Sequence, residues 1–473
     1  MPAMRGILRC RPVDHGLLHE HRCPRCTVAK LRRRAILPHD TSRLPLVNEA
    51  KFRWGTACAS SGAKMTKVLD FGLYSEQLVV QEHHSPEAFK ELESEWKALE
   101  PFAGTPFATW DWAVAWWAQL REEKLGVTDS LSIRTVRTRE GRLIAVAPML
   151  ISRRPSVGPI RVRQLQFFGA DPNITEQRGL LALPDWQGEA YRALLGHALR
   201  HASGWDSMLL SGLPRDLDLG GLERSPDFEW VGETADYRLT LPTSWDAFRS
   251  ALPRNIKESL RKCYNSLKRD GLDFRLEVAE REDAVGPALD RFFELHAARA
   301  RLRDTIIHND AFATPEAREF LRDVCRRFAA RDALRIFQLV IGGKVVAIRI
   351  GFVAGDTLYL YYSGYAPEFA QYSVMTTTVA EAIQYGIKHG FSRINLSTGK
   401  DVSKARWDPT ERVTRQALLM SSTTRAKITH HMYRQALHAI GSMPALRRAT
   451  TFLARRSTPP PQALQAPRGL AQR

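Results

Sequence analysis

The chain reads as an α/β (α+β) fold built twice, each half a mixed central sheet flanked by helices. Two observations carry that prediction. Residues 131–151, "LSIRTVRTREGRLIAVAPMLI", and 334–353, "LRIFQLVIGGKVVAIRIGFV", each give a β-branched strand, a tight turn, a cationic residue and a second strand. The turns fall at Glu140-Gly141 and Gly342-Gly343. The same elements then surround each hairpin. Upstream, "ATWDWAVAWWAQLREEK" and "PEAREFLRDVCRRFAARD" repeat apolar residues at i, i+3 and i+4, the period of an amphipathic helix. Downstream, "GEAYRALLGHALRHASGWDSMLLSGL" and "SVMTTTVAEAIQYGIKHGFSRINLS" both read as a helix followed by a strand.

Taken in order, residues 1–64 are rich in Arg and Pro and lack a helix or strand period, so a basic, disordered extension is expected, with Met65 as the expected true start. Its cationic beginning has no apolar stretch behind it and does not read as a secretory signal. Cys23-Pro-Arg-Cys26 has zinc-ligand spacing, with Cys10, His19 and His21 nearby, but no second such pair follows, and no metal site is expected. The first folded unit is expected over 65–240 and the second over 241–425, joined by a basic helix over 252–270. Residues 426–473 read as a basic helical segment and a Pro-rich disordered tail.

The net charge of +18 suggests an anionic partner, yet about half of that excess precedes Met65. The middle of the chain is only mildly basic, and no nucleic-acid-binding motif accompanies the charge. No apolar run approaches the roughly 18–20 residues of a membrane span, and the core has two isolated cysteines, Cys263 and Cys325. A cytoplasmic protein is expected.

Several stretches, in order and spacing, resemble a known family: "PFATWDWAVAWW" (106–117), "WDSMLLSGLP" (205–214), "LPRNIKESLRKCYNSLKRDGL" (252–272), "FFELHAARARLRD" with "AFATPEAREFLRDV", and "GGKVVAIRIGFVAGDTLYLYYSGYAPEFAQYS" (342–373). The chain resembles CelD/BcsL-type acetyltransferases of the GNAT superfamily, in a FemAB-like tandem, over roughly residues 75 to 425. The resemblance implies a tandem GNAT-like fold and an acyltransferase that uses acetyl-CoA or another acyl-CoA as co-substrate, with no permanently bound cofactor. The acceptor it implies is an amine or hydroxyl of an amino sugar, polysaccharide precursor or amino-acid-like molecule, with a link to cellulose or exopolysaccharide biosynthesis. Two alternatives stay open: an aminoacyl-tRNA-dependent Fem-type transferase, and a non-catalytic scaffold of a polysaccharide-synthesis complex. Where the family's pyrophosphate loop carries glycines, this chain has Val374 and Thr376, and where Asp and Tyr are usual near the end it has Asn395 and Ser403.

The candidate residues follow from place. Tyr361 and Tyr362 lie on the strand ahead of the presumed anion-binding turn, Tyr362 as a proton donor to a leaving thiolate and Tyr361 as a substrate contact. Gln371 matches the family's cofactor loop, and Ser373 precedes a helix, where it serves as an N-cap or touches a phosphate. Asp171, with Asn173, follows a strand end and either orients the acceptor or forms a turn. Arg254, Lys257, Arg261 and Lys268 share one helix face; Arg254 and Arg261 are expected to meet an acceptor or cofactor phosphate. Beyond the last core strand, Lys404 is expected to contact an anionic or carbonyl oxygen in the interdomain cleft, with Trp407 beside it as a loop clamp or substrate contact. His296 reads as a satisfied, partly buried histidine. Trp110, Trp112, Trp116 and Trp117, at helical spacing, read as core.

Overall fold

The computed structural model describes residues 77–442, apart from 125, 156–160, 172, 303–307 and 400. The expectations for residues 1–64, including the Cys23–Cys26 pair, and for the Pro-rich tail lie outside the described residues. The first half opens with β1 (Leu78–His83), α1 (Pro86–Glu91), α2 (Glu93–Leu99) and α3 (Trp110–Gln119). Strands β2 (Glu123–Lys124), β3 (Val127–Leu131), β4 (Ile133–Thr138), β5 (Leu143–Ala147), β6 (Met149–Arg154) and β7 (Val162–Phe167) follow. The half closes with β8 (Leu181–Ala182), α4 (Gln187–Arg200) and β9 (Ser207–Pro214).

β10 (Phe228–Thr240) follows as the last strand before residue 241, and the second half begins with α5 (Trp245–Ala251) and α6 (Arg254–Arg269). It repeats the first from β11 (Phe274–Ala279) through α7 (Glu282–Ala300), α8 (Pro315–Ala330), β12 (Leu334–Ile341), β13 (Lys344–Ala354) and β14 (Thr357–Tyr365). Then come α9 (Val374–Lys388), β15 (Arg393–Thr398), α10 (Val402–Ala405), β16 (Thr410–Met420) and α11 (Thr424–Ser442). Local chemistry sets these starts. Thr109 and Thr314 accept from the backbone N–H groups of Trp112 and Ala317, capping α3 and α8, and Pro315 supplies a preset φ at the first turn of α8. In α6 the residues Ile256, Leu260, Cys263 and Leu267 turn inward at helical spacing, which leaves its cations outside.

The duplication is visible in the pairing. β1 runs antiparallel to β4 as β11 does to β12. β7 runs parallel to β9 as β14 runs parallel to β15, with α4 and α9 as the crossovers. The two hairpins differ in one respect that the sequence comparison did not predict. In the second half, β12 and β13 are continuous and join through Gly342 and Gly343, whose φ values of 57° and 77° suit a two-residue hairpin turn. In the first half both strands break, at Ser132 and at Pro148. Pro148 has no N–H to give to a ladder, so β4 and β5 enter a four-stranded sheet while β3 and β6 enter the main one.

The main sheet has twelve strands in the order β11-β12-β13-β14-β15-β10-β16-β9-β7-β6-β3-β2. Its centre is an exchange. β10, which follows the first half, lies between β15 and β16, and β16, which ends the second half, lies between β10 and β9. The helices complete the union. α3 packs on α8, with Trp112 edge-on to Phe320 at 5.1 Å, and Phe107 meets Tyr359 at 5.2 Å. Trp110, Trp112 and Trp116 are buried, as their spacing predicted, in a core shared with Phe312, Phe352 and Tyr361 of the second half. Truncating any one of these tryptophans to Ala would cost roughly 3–5 kcal/mol. Arg331 spans the same junction, donating to Glu100 at 2.9 Å and ion-pairing with Asp111 at 2.8 Å.

Candidate active site

β14 and β15 pair in parallel only from Thr357–Arg393 to Tyr359–Asn395, and beyond that point they part. Just past the fork β14 carries a bulge: Leu360 opposes Gly351 and Ser363 opposes Arg349, so Tyr361 and Tyr362 together face one residue of β13. A bulge leaves backbone outside the ladder and re-aims side chains. The loop after β7 comes across from the first half and fills the far side of the fork. Asn173 Nδ2 donates to Tyr362 Oη at 2.9 Å, Tyr362 Oη donates to the Asn173 carbonyl at 2.6 Å, and Tyr361 Oη donates to the Ile174 carbonyl. Glu176 of the same loop also reaches the fork. It accepts from Tyr359 Oη at 2.6 Å and from Ser397 Oγ at 2.8 and 2.7 Å.

Two residues in this contact adopt a left-handed backbone without being glycine, Asn173 at φ 74° and Ser397 at φ 76°. That conformation costs an ordinary residue about 1–2 kcal/mol, and such strain is concentrated where a site requires it. Ser397 is held there by the Asn395 side chain, which accepts from its N–H and donates to buried Asp236. On its open side the fork meets a cleft of about 460 Å³ between the exchanged strands. Glu176, Arg178, Glu233, Tyr237, Gly399 and Glu411 are among its lining residues.

Burial raises the Glu176 carboxyl above the ordinary glutamate range; the hydrogen bonds from Tyr359 and Ser397, and the charges of Lys404 and Arg349, oppose that rise without cancelling it. Arg349 is itself pushed down to about 10, chiefly by burial, and its Nε has no hydrogen-bond partner. Lys404 is lowered by burial and by Arg349. Tyr362 is raised by burial, so its hydroxyl stays protonated. The fork therefore holds a carboxyl with raised proton affinity, protonated phenols, and the charges of Lys404 and Arg349 near enough to act on that carboxyl.

The sequence-predicted residues fall into three groups. Tyr362 is at the fork, and Lys404 is close to it. The Lys404 ammonium donates to the Thr398 carbonyl and, at 3.1 Å, to the Gly399 carbonyl, and it lies 3.6 Å from Asp401, so its donors tie its own loop together. Three expected substrate contacts are placed otherwise. Trp407 is buried among Tyr237, Leu252 and Ile383 and clamps the loop to the body. Tyr361 is buried against Phe312 and Phe352. Asp171 is buried with both oxygens occupied: Oδ1 accepts from the Ile174 and Thr175 N–H groups, Oδ2 from Trp116 Nε1 and Thr175 Oγ1. It anchors the loop that delivers Asn173 and Glu176.

The third group is away from the fork. Gln371 and Ser373 are exposed at the start of α9. Ser373 occupies the N-cap position at φ 51°, but its side chain makes no capping bond, because the left-handed backbone turns it from the helix end. Val374, where a glycine was expected, is buried against Leu267 and Leu339. Arg406 reaches over the first turn to Thr376 Oγ1 at 3.4 Å and to Ser259 Oγ of α6. Arg254 and Arg261 lie exposed on α6, Arg254 paired with Glu258 at 2.7 Å. His296 is more deeply buried than expected and only half satisfied: Nδ1 bonds the Ser363 carbonyl at 3.0 Å, and Nε2 has no hydrogen-bond partner.

Residues 254–405 match the family model for an acetyltransferase (GNAT) domain. No curated protein matches the chain. Among solved structures, the crystal structure of FemX aligns at 13% identity and a TM-score of 0.47, covering 71% of this chain and 96% of that one. L-PGS from Bacillus licheniformis aligns at 13% identity and a TM-score of 0.40, covering 75% and 97%. A tandem GNAT protein from the clavulanic acid biosynthesis pathway aligns at 10% identity and a TM-score of 0.38, covering 74% and 100%.

Proposed function

We propose that the protein is an acyltransferase whose reaction centre is the fork between β14 and β15, with acyl-CoA as donor and an amine or hydroxyl acceptor bound in the cleft between the halves. A GNAT-type domain over residues 254–405 supports the reaction class. The observation that carries the reading is Glu176, a carboxyl supplied by one half and seated on Tyr359 and Ser397 at the fork of the other. Its raised proton affinity suits a general base for an amine. The acceptor nitrogen gives its proton to Glu176 as it attacks the thioester carbonyl. The bulged backbone at Tyr361–Tyr362 is placed to meet the oxygen that gains charge. Collapse breaks the carbon–sulfur bond, and Tyr362, beside Asn173, is the proton source for the thiolate. Lys404 holds the loop that borders the cleft. At the start of α9, Gln371, Ser373 and the neighbouring Arg406 are the groups offered to the donor's phosphates.

The acceptor in this reading is an amino sugar, polysaccharide precursor or amino-acid-like amine, and a cytoplasmic setting would supply the donor. Calorimetric titration with acetyl-CoA is the test: saturable heat together with a thermal shift is expected, and neither at millimolar CoA would end the acyl-CoA reading. One observation favours a second donor. Arg261, Lys262 and Lys268 on α6 form no ion pair among the described residues, which suits an aminoacyl-tRNA backbone. Binding to tRNA that weakens steeply with salt would support that alternative.

A further inference from the structure

Arg178 lines the inter-half cleft two residues beyond Glu176. Among the described residues its guanidinium has neither a hydrogen bond nor an ion pair, although the residue is only partly exposed, and burial lowers its proton affinity. The carboxylate whose charge it feels, Asp171, already has both oxygens engaged by Trp116, Ile174 and Thr175. The carboxylates across the cleft are also accounted for: Glu233 pairs with Arg415 at 3.3 Å, and Glu411 accepts from Tyr237 Oη at 3.2 Å. A half-buried guanidinium without a protein acceptor is available to an oxyanion that enters the cleft.

The backbone that carries Arg178 is fixed. Gly212 of β9 runs so close that a Cβ there would collide with the Arg178 carbonyl, and Tyr191 Oη pins the next residues by bonding to the Leu180 N–H at 3.4 Å and the Ser211 carbonyl at 3.0 Å. The arginine is thus carried on rigid backbone at the wall of the space where the acceptor would lie.

We infer that Arg178 binds an oxyanion carried by the acceptor itself, so that the cleft selects an amine that bears a carboxylate or phosphate over its neutral counterpart. The inference rests on the acyl-acceptor reading for the amine, and on Arg178 alone for the anion. Guanidinium recognises both oxyanions through paired N–H donors, so the test compares three related amines: glucosamine, muramic acid with its carboxylate, and glucosamine 6-phosphate.

Each is titrated calorimetrically into the full-length chain, with acetyl-CoA titrated in parallel. Wild type should bind at least one of the two anionic amines about ten-fold or more tightly than glucosamine, a difference that one paired contact readily supplies. The better of the two identifies the carboxylate or the phosphate. Arg178→Gln should erase the preference while leaving acetyl-CoA binding unchanged, and Arg178→Lys should retain part of it. Equal binding of all three amines, no binding of any, or a preference that survives in Arg178→Gln would overturn the inference. If either variant fails to fold, the wild-type comparison still decides. An anion preference without acetyl-CoA binding would remove the acyl-CoA reading and leave the anion site standing.

Discussion

Glu176 shows what a single side chain can and cannot reveal from sequence. The stretch "ITEQRG" has no motif around it, and a glutamate in a polar loop is ordinarily a solvated charge. Its character comes from where the loop lands, on hydroxyls of Tyr359 and Ser397 that lie 183 and 221 residues away. Asp171, by contrast, was conspicuous in sequence because it follows a strand end, yet it is a structural anchor with no free oxygen. Burial raises the folded-state affinity of Glu176 for its proton, and two consequences follow with opposite signs. As a base it works only when ionised, so the acid limb of a pH–rate profile should lie above the ordinary glutamate value of about 4.3. Folding stability, for the same reason, should decline as pH rises from that value through the raised one, since the folded state holds the proton more tightly. Glu176→Gln should therefore lower kcat by about 10²- to 10⁴-fold and abolish the acid limb, while at neutral pH its melting temperature equals or exceeds that of the wild type. A large fall in melting temperature with a matching loss of activity would make the residue a mere packing element.

At the scale of elements, what depends on local periodicity was readable and what depends on partners was not. The helices α3, α4, α8 and α9 and the second hairpin fall where the apolar spacing and the Gly342-Gly343 turn place them. The break of the first hairpin was signalled by Pro148 alone, and its meaning, one strand pair shared between two sheets, required the neighbours. The connection that bears Glu176 and Arg178 did leave a trace. It runs over residues 168–186, against 366–373 at the equivalent place in the second half, and excess loop length beyond a central strand commonly accompanies function. What fixes that loop can be tested at a glycine. Gly212 has φ +74° and no room for a Cβ, with the Gly179 Cα at 3.0 Å and the Arg178 carbonyl nearer still. Gly342 has φ +57° but open space around it. Both Gly→Ala changes bear the cost of a left-handed backbone, about 1–2 kcal/mol. Gly212→Ala should lose at least about 1 kcal/mol more in denaturant unfolding, because a backbone carbonyl must also move. Equal losses would show that the Arg178 backbone is free to yield.

At the scale of the whole molecule, the exchange of β10 and β16 makes the two halves one folding unit. A sequence repeat suggests two separable domains, since each copy contains the elements of a complete sheet. The pairing says otherwise: β10 bonds only to β15 and β16, and β16 bonds only to β10 and β9. Cut at residue 241, the second half would lose the antiparallel neighbour of β15 and both neighbours of β16, leaving two long strand edges open to aggregation. The shared core of Trp112, Phe320 and Tyr361 would be divided as well. Calorimetry on the intact chain should therefore give one transition, with calorimetric and van't Hoff enthalpies in agreement. Residues 241–442 expressed alone should be insoluble or unfolded, and co-expression with residues 77–240 should recover a complex that melts cooperatively. Two resolved transitions, or a soluble and cooperatively folded 241–442 fragment, would contradict this. The same exchange bears on chemistry, because Glu233 and Tyr237 of β10 and Glu411 of β16 form walls of the cleft that Glu176 and Arg178 also line. A site assembled this way exists only when both halves are in place, so any fragment pair that regains its cooperative transition should regain acceptor binding at the same concentration.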